Sequence, residues 1–109
     1  MTGKILGKIT SAEYGMVGDY PFLFGLQLRF NLGDGTSIGC GGSYTVNICK
    51  ECKWTAEERR ICITKSVDEV HKILKDAKVN YVSQLVNKPV EVEIECNTFK
   101  NFRILTEVL

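Results

Sequence analysis

Apolar and polar residues alternate most cleanly between Phe22 and Phe30. Phe22, Phe24, Leu26, Leu28 and Phe30 fall on one side and Leu23, Gly25, Gln27 and Arg29 on the other, which predicts a strand with one face in the core. Ile5 to Ser11 alternates more weakly and predicts an earlier strand. Tyr14 to Pro21, interrupted by Gly15, Gly18 and Pro21, predicts an irregular loop. Gly33-Asp34-Gly35 predicts a hairpin turn into Thr36–Cys40, because Asp-Gly readily supplies positive φ angles. After a bulge or change of direction at Gly39, Gly41 and Gly42, Ser43 to Ile48 predicts a further short strand.

The period then changes. Thr55-Ala56-Glu57-Glu58 has capping-box form and predicts a short helix through Arg59 and Arg60. Ser66-Val67-Asp68-Glu69 has the same form and predicts the start of a second helix. There Val67, Val70, Ile73, Leu74 and Ala77 recur at helical spacing, with acids early and lysines late. Val79 to Val86 adds a turn or two before Lys88-Pro89. Val90, Val92, Ile94 and Cys96 alternate with Glu91, Glu93 and Glu95 as a half-buried strand. A turn at Asn97–Lys100 leads to a last strand from Asn101 to Leu109. The sum is one α+β domain over residues 1–109. Its antiparallel sheet of about five to six strands carries one or two helices on one face, in the order β-β-β-(β)-α-α-β-β.

Composition narrows the role. With 44% apolar and 25% charged residues the chain has the balance of a soluble globular protein. Its 14 basic and 13 acidic residues nearly cancel, which argues against direct nucleic-acid binding and against an acidic DNA mimic. No apolar run reaches membrane-spanning length, and Met1–Lys8 is too short and too interrupted for a signal peptide, so a cytoplasmic location is expected. There the five cysteines should be reduced, and their odd number argues against a disulfide framework. All ten glycines lie at or before Gly42, which predicts that the later half needs no special backbone freedom.

The candidate chemistry is sparse. Cys49-Lys50-Glu51-Cys52 could hold one edge of a zinc site, with Cys40, Cys62 and His71 as further ligands, but half a ligand set favours small buried thiols and no metal. His71 reads as a surface helix residue, and Glu91, Glu93 and Glu95 as one solvated strand face. The run from Gly33 to Ser43 lacks the Gly-Lys-Ser/Thr ending of a P-loop and reads first as hairpin and bulge, second as an anion-binding nest. Arginines add planar forks suited to phosphate. The candidate ligand set is therefore Arg29, Gly41, Gly42, Tyr44, Trp54, Arg59, Arg60, Asn97 and Arg103. No cofactor and no catalytic residue is expected. Tyr14, Tyr20 and Trp54 are the alternative, as exposed aromatics for docking a protein.

Three stretches carry a resemblance: Ile73-Leu74-Lys75-Asp76-Ala77-Lys78-Val79, Asn87-Lys88-Pro89-Val90-Glu91-Val92 and Phe102-Arg103-Ile104-Leu105-Thr106-Glu107-Val108. With Phe24-Gly25-Leu26, they resemble small proteins encoded by phages and prophages of Gram-positive gut bacteria. The resemblance implies an accessory phage protein acting against host defence, and it carries no motif-defined site. Two non-enzymatic roles follow as expectations. One is binding and sequestering a small nucleotide-type immune signal, as a homo-oligomer; the other is direct inhibition of a host defence protein such as a CRISPR effector. A small zinc-binding or thiol domain is the remaining alternative.

Overall fold

The computed structural model describes residues 2–18, 20–48 and 55–108. Its first two strands form a long hairpin, β1 (Gly3–Val17) and β2 (Tyr20–Leu32). Short strands β3 (Ser37–Gly39) and β4 (Thr45–Asn47) both pair with the far side of β2. Helix α1 (Ala56–Ala77) follows, then a 3-10 turn at Val82–Leu85, strands β5 (Pro89–Glu95) and β6 (Thr98–Ile104), and a 3-10 turn at Thr106–Val108. The sheet is antiparallel throughout, ordered β3-β2-β1-β5-β6 with β4 beside β2. This is the α+β architecture that the patterning predicts. No helix among the described residues is long and apolar enough to cross a membrane.

Three expectations are corrected. The segment from Tyr14 to Val17 is strand and not loop. A bulge after Ile9 shifts the register, so the core face passes from Ile5 and Ile9 to Ala12, Tyr14 and Met16. One extra residue thus hides a continuous alternation, and Gly15 simply faces Gly25 across the ladder. Second, one helix replaces two. Thr55 is its cap: the Glu58 N–H donates to Thr55 Oγ1 at 3.1 Å and the Thr55 N–H to Glu58 Oε2 at 3.0 Å. No glycine or proline occurs between it and Ala77, so Ser66 is a buried residue inside the helix and not a second cap. Third, β6 begins at Thr98, because Cys96 and Asn97 alone make the turn, with φ of 52° and 63°.

That turn exposes a further difference. Positive φ also occurs at Lys78 and Asn87, so among the described residues the glycine-free half of the chain has four non-glycine residues in left-handed conformations. Glycine content therefore does not report where backbone freedom is used.

The sheet curls strongly. Phe30 of β2 and Phe102 of β6 lie three strands apart, about 14 Å on a flat sheet, yet their ring centroids are 5.1 Å apart. α1 bridges the opening, touching β4 on one side and β6 on the other. Ile9, Leu26, Leu28, Phe30, Val90, Val92, Ile94 and Ile104 fill the interior, joined by Ala77 of α1 and by Leu85. Gly25 lets β4 approach, since a Cβ there would run into the Tyr44 carbonyl and the Thr45 backbone. The outer face of the sheet carries Lys4, Glu91, Glu93, Asn101 and Arg103.

Candidate functional site

The predicted ligand residues do not gather in one place: Tyr44 and Arg103 line one cavity with Glu69, Lys72 and Asp76, Arg29 and Gly41 another, and Arg59 a third. Arg29 and Gly41 share a shallow depression on the outer face with Ser11, Gln27 and Gly39. Arg103 lies on that face too, but it is engaged: Nε donates to Glu91 Oε1 at 3.2 Å, while Nη1 and Nη2 grip Glu107 at 3.3 and 3.2 Å. Those carboxylates, Glu107 first, hold the Arg103 guanidinium even more firmly protonated than usual. Asn97 sits at the other end of the β5–β6 hairpin from the Arg103–Glu91 pair. Arg60 is exposed on α1. Trp54, Cys49 and Cys52 lie outside the described residues.

The glycine run forms turns. Ser43 N–H donates to the Cys40 carbonyl and Thr45 N–H to the Gly42 carbonyl, both at 3.2 Å, and Gln27 Nε2 donates to the Gly41 carbonyl at 3.2 Å. Tyr44 packs edge-on against Phe99 and Phe102, with centroids 6.2 and 5.9 Å away. Burial, then the charges of Cys40 and Glu69, push its phenol well above the ordinary tyrosine range. Tyr44 therefore packs on the aromatic side of the core while still lining the cavity it shares with Arg103. Cys40 is buried, receives the Leu28 N–H at 3.2 Å, and is likewise pushed up by burial. Among the described residues no group of three or more His, Cys, Asp or Glu side chains gathers.

A different constellation is better formed. Where the β1–β2 hairpin extends past the sheet, its core face turns toward the first half of α1. Tyr14, Phe24, Val46 and Ile48 form one wall of a groove of about 280 Å³, and Ile63 and Val67 form the other. Tyr14 meets Phe24 edge to face at 5.1 Å. Arg59 enters this apolar groove from α1. Its Nη2 donates to the Ile48 carbonyl at 3.2 Å, while its Nε–H is buried and has no acceptor among the described residues. No described carboxylate pairs with it.

Sequence reasoning singles out Arg59 but not the groove around it. Its neighbours here are apolar side chains from the hairpin, which the alternation masked by the β1 bulge conceals. Tyr14 was legible only as a docking aromatic. No protein-family model, no curated protein sequence and no solved structure matches the chain.

Proposed function

We propose that the protein is a non-enzymatic binder of a small amphipathic anion, with a nucleotide-type ligand as the class that fits best. The observation that carries this reading is one guanidinium, unpaired by any described carboxylate, set in the wall of an apolar groove. A cation in apolar surroundings attracts an anion more strongly than one in water, and Tyr14 with Phe24 offers aromatic surface to a base. About 280 Å³ sits at the small end of ligand sites and suits one ring system with its anionic group. In the phage setting that the sequence resemblance implies, such binding would act by sequestration.

The test is a thermal-shift series with cyclic nucleotides, cyclic dinucleotides and ADP-ribose derivatives on the wild type, Arg59→Ala and Arg103→Ala. A ligand at one hundred times its Kd should stabilise the wild type by about 2.7 kcal/mol. The shift should vanish in folded Arg59→Ala and persist in Arg103→Ala, whose guanidinium is already held by Glu91 and Glu107. No shift with any of these compounds overturns the reading.

A second reading rests on exposure around the groove mouth, where Tyr14 is 44%, Phe22 43% and Val67 53% exposed. Such surface also suits a protein-directed inhibitor. A ligand-insensitive wild type that captures a defence protein, and loses it on Val67→Glu, would favour that role.

A further inference from the structure

Strand β1 has company on both sides only over its first half. Its pairing with β5 ends at Lys8 and Pro89. One step further, Ile9 still donates its N–H to the Lys88 carbonyl and accepts from Asn87 N–H. The 3-10 turn at Val82–Leu85 packs on β1 from the core side, with Leu85 fully buried. From Ala12 to Val17, β1 pairs with β2 alone, among the described residues.

The direction of the backbone groups on that edge follows from the far side of β2. Leu26 donates its N–H to the Tyr44 carbonyl, and the carbonyls of Leu28 and Phe22 accept from Cys40 and Ile48. These residues of β2, and by strand alternation Phe24 between Phe22 and Leu26, therefore bond away from β1. Their partners across the ladder, Ala12 opposite Leu28, Tyr14 opposite Leu26 and Met16 opposite Phe24, form the pairs not bonded to β2. Ala12, Tyr14 and Met16 thus aim their N–H and C=O groups out of the sheet edge. The same residues carry the apolar face, with Tyr14 44% and Met16 68% exposed.

We propose that this edge is the contact with a second copy of the chain, which pairs β1 with β1 antiparallel about a two-fold axis at Tyr14. The segment is self-complementary in that register. Ala12 falls opposite the partner's Met16, a small residue beside a large one, and Tyr14 falls opposite itself. Glu13, the only charged residue from Ser11 to Val17, falls opposite the partner's Gly15 and meets no like charge. All three outward N–H and C=O pairs are satisfied. A register shifted to set Glu13 against Glu13 would oppose like charges. A register centred on Gly15 would carry Ala12 past the strand end at Val17. An unprotected edge with one apolar face is what proteins otherwise shield, and β1 lacks proline and lysine over this stretch. Pairing continues the sheet across the axis and sets the two apolar hairpin faces side by side. The proposal does not depend on the ligand proposed above.

Sedimentation velocity over a concentration series, with amide hydrogen exchange followed by NMR, tests it. Twice the chain mass is expected, with the amides of Ala12, Tyr14 and Met16 protected in the dimer and fast-exchanging on dilution to monomer. Met16→Pro removes one outward N–H without touching the β2 ladder and should weaken the dimer by about tenfold or more, with an unchanged circular dichroism spectrum. Glu13→Gln should leave the dissociation constant unchanged. A monomer at all concentrations, a dimer whose three amides stay fast-exchanging, or a tighter dimer for Glu13→Gln would overturn the proposal. If Met16→Pro fails to fold, the wild-type exchange pattern decides alone.

Discussion

The turn between β2 and β3 closes on a single carboxylate. Thr36 donates its hydroxyl to Asp34 Oδ1 at 2.6 Å and its N–H to the same oxygen at 2.9 Å. Both bonds favour the charged form, so the Asp34 carboxyl sits below the ordinary aspartate value, with the Thr36 hydroxyl as the larger cause. A depressed carboxyl contributes stability above its unfolded-state pKa and loses it as the pH falls through the folded value. Asp34→Ala should therefore melt at a lower temperature than the wild type at neutral pH. That gap should close as the pH drops below the aspartate range, and melting curves at a series of pH values check it. A gap independent of pH would assign the effect to the backbone and not to the charge. Residues of this kind are readable from sequence, because Asp34, Gly35 and Thr36 are neighbours. Arg103 is not: whether its fork is free depends on Glu91, twelve positions away and brought alongside only by strand pairing.

Among the elements, α1 carries its own start and stop. Its start was legible at Thr55–Glu58, where the cap is a local arrangement. Its stop was not, because the usual glycine is missing. Lys78 takes the left-handed position at φ 58°, donating its N–H to the Leu74 and Lys75 carbonyls, and Val79 donates to Leu74 at 3.1 Å. This is a Schellman ending built on lysine. A β-carbon in that conformation costs about 1–2 kcal/mol, partly offset by the extra chain entropy a glycine would lose. Lys78→Gly should accordingly stabilise the protein by about 0.5–1 kcal/mol, read as a rise in the urea midpoint at constant slope. A fall in that midpoint would show that the Lys78 side chain contributes more than the strain it carries. The β1 strand shows the opposite problem. Its alternation is modest before Thr10, and the bulge there inverts which positions face the core, so a reading by strict alternation discards the second half.

At the scale of the whole molecule, the curl of the sheet decides what else can form. A flat antiparallel sheet with these strands would keep Phe30 far from Phe99 and Phe102; here the centroids are 5.5 and 5.1 Å away, with Tyr44 edge-on to the latter two. Alternation assigned Phe30 to an apolar face, but no local pattern says that it will meet Phe102, three strands away. The closure positions α1 across the opening, and α1 in turn sets Arg59, Ile63 and Val67 against the hairpin. The groove therefore inherits its shape from aromatic contacts on the opposite side of the interior. A double-mutant cycle with Phe30→Leu and Phe102→Leu measures that closure. Each single change should destabilise by about 1–3 kcal/mol, and direct ring contact should leave a coupling of about 0.5–1.5 kcal/mol between them. Additive effects would mean that the rings do not touch in solution. The sheet would then be open, and α1 would not be held where the groove requires it.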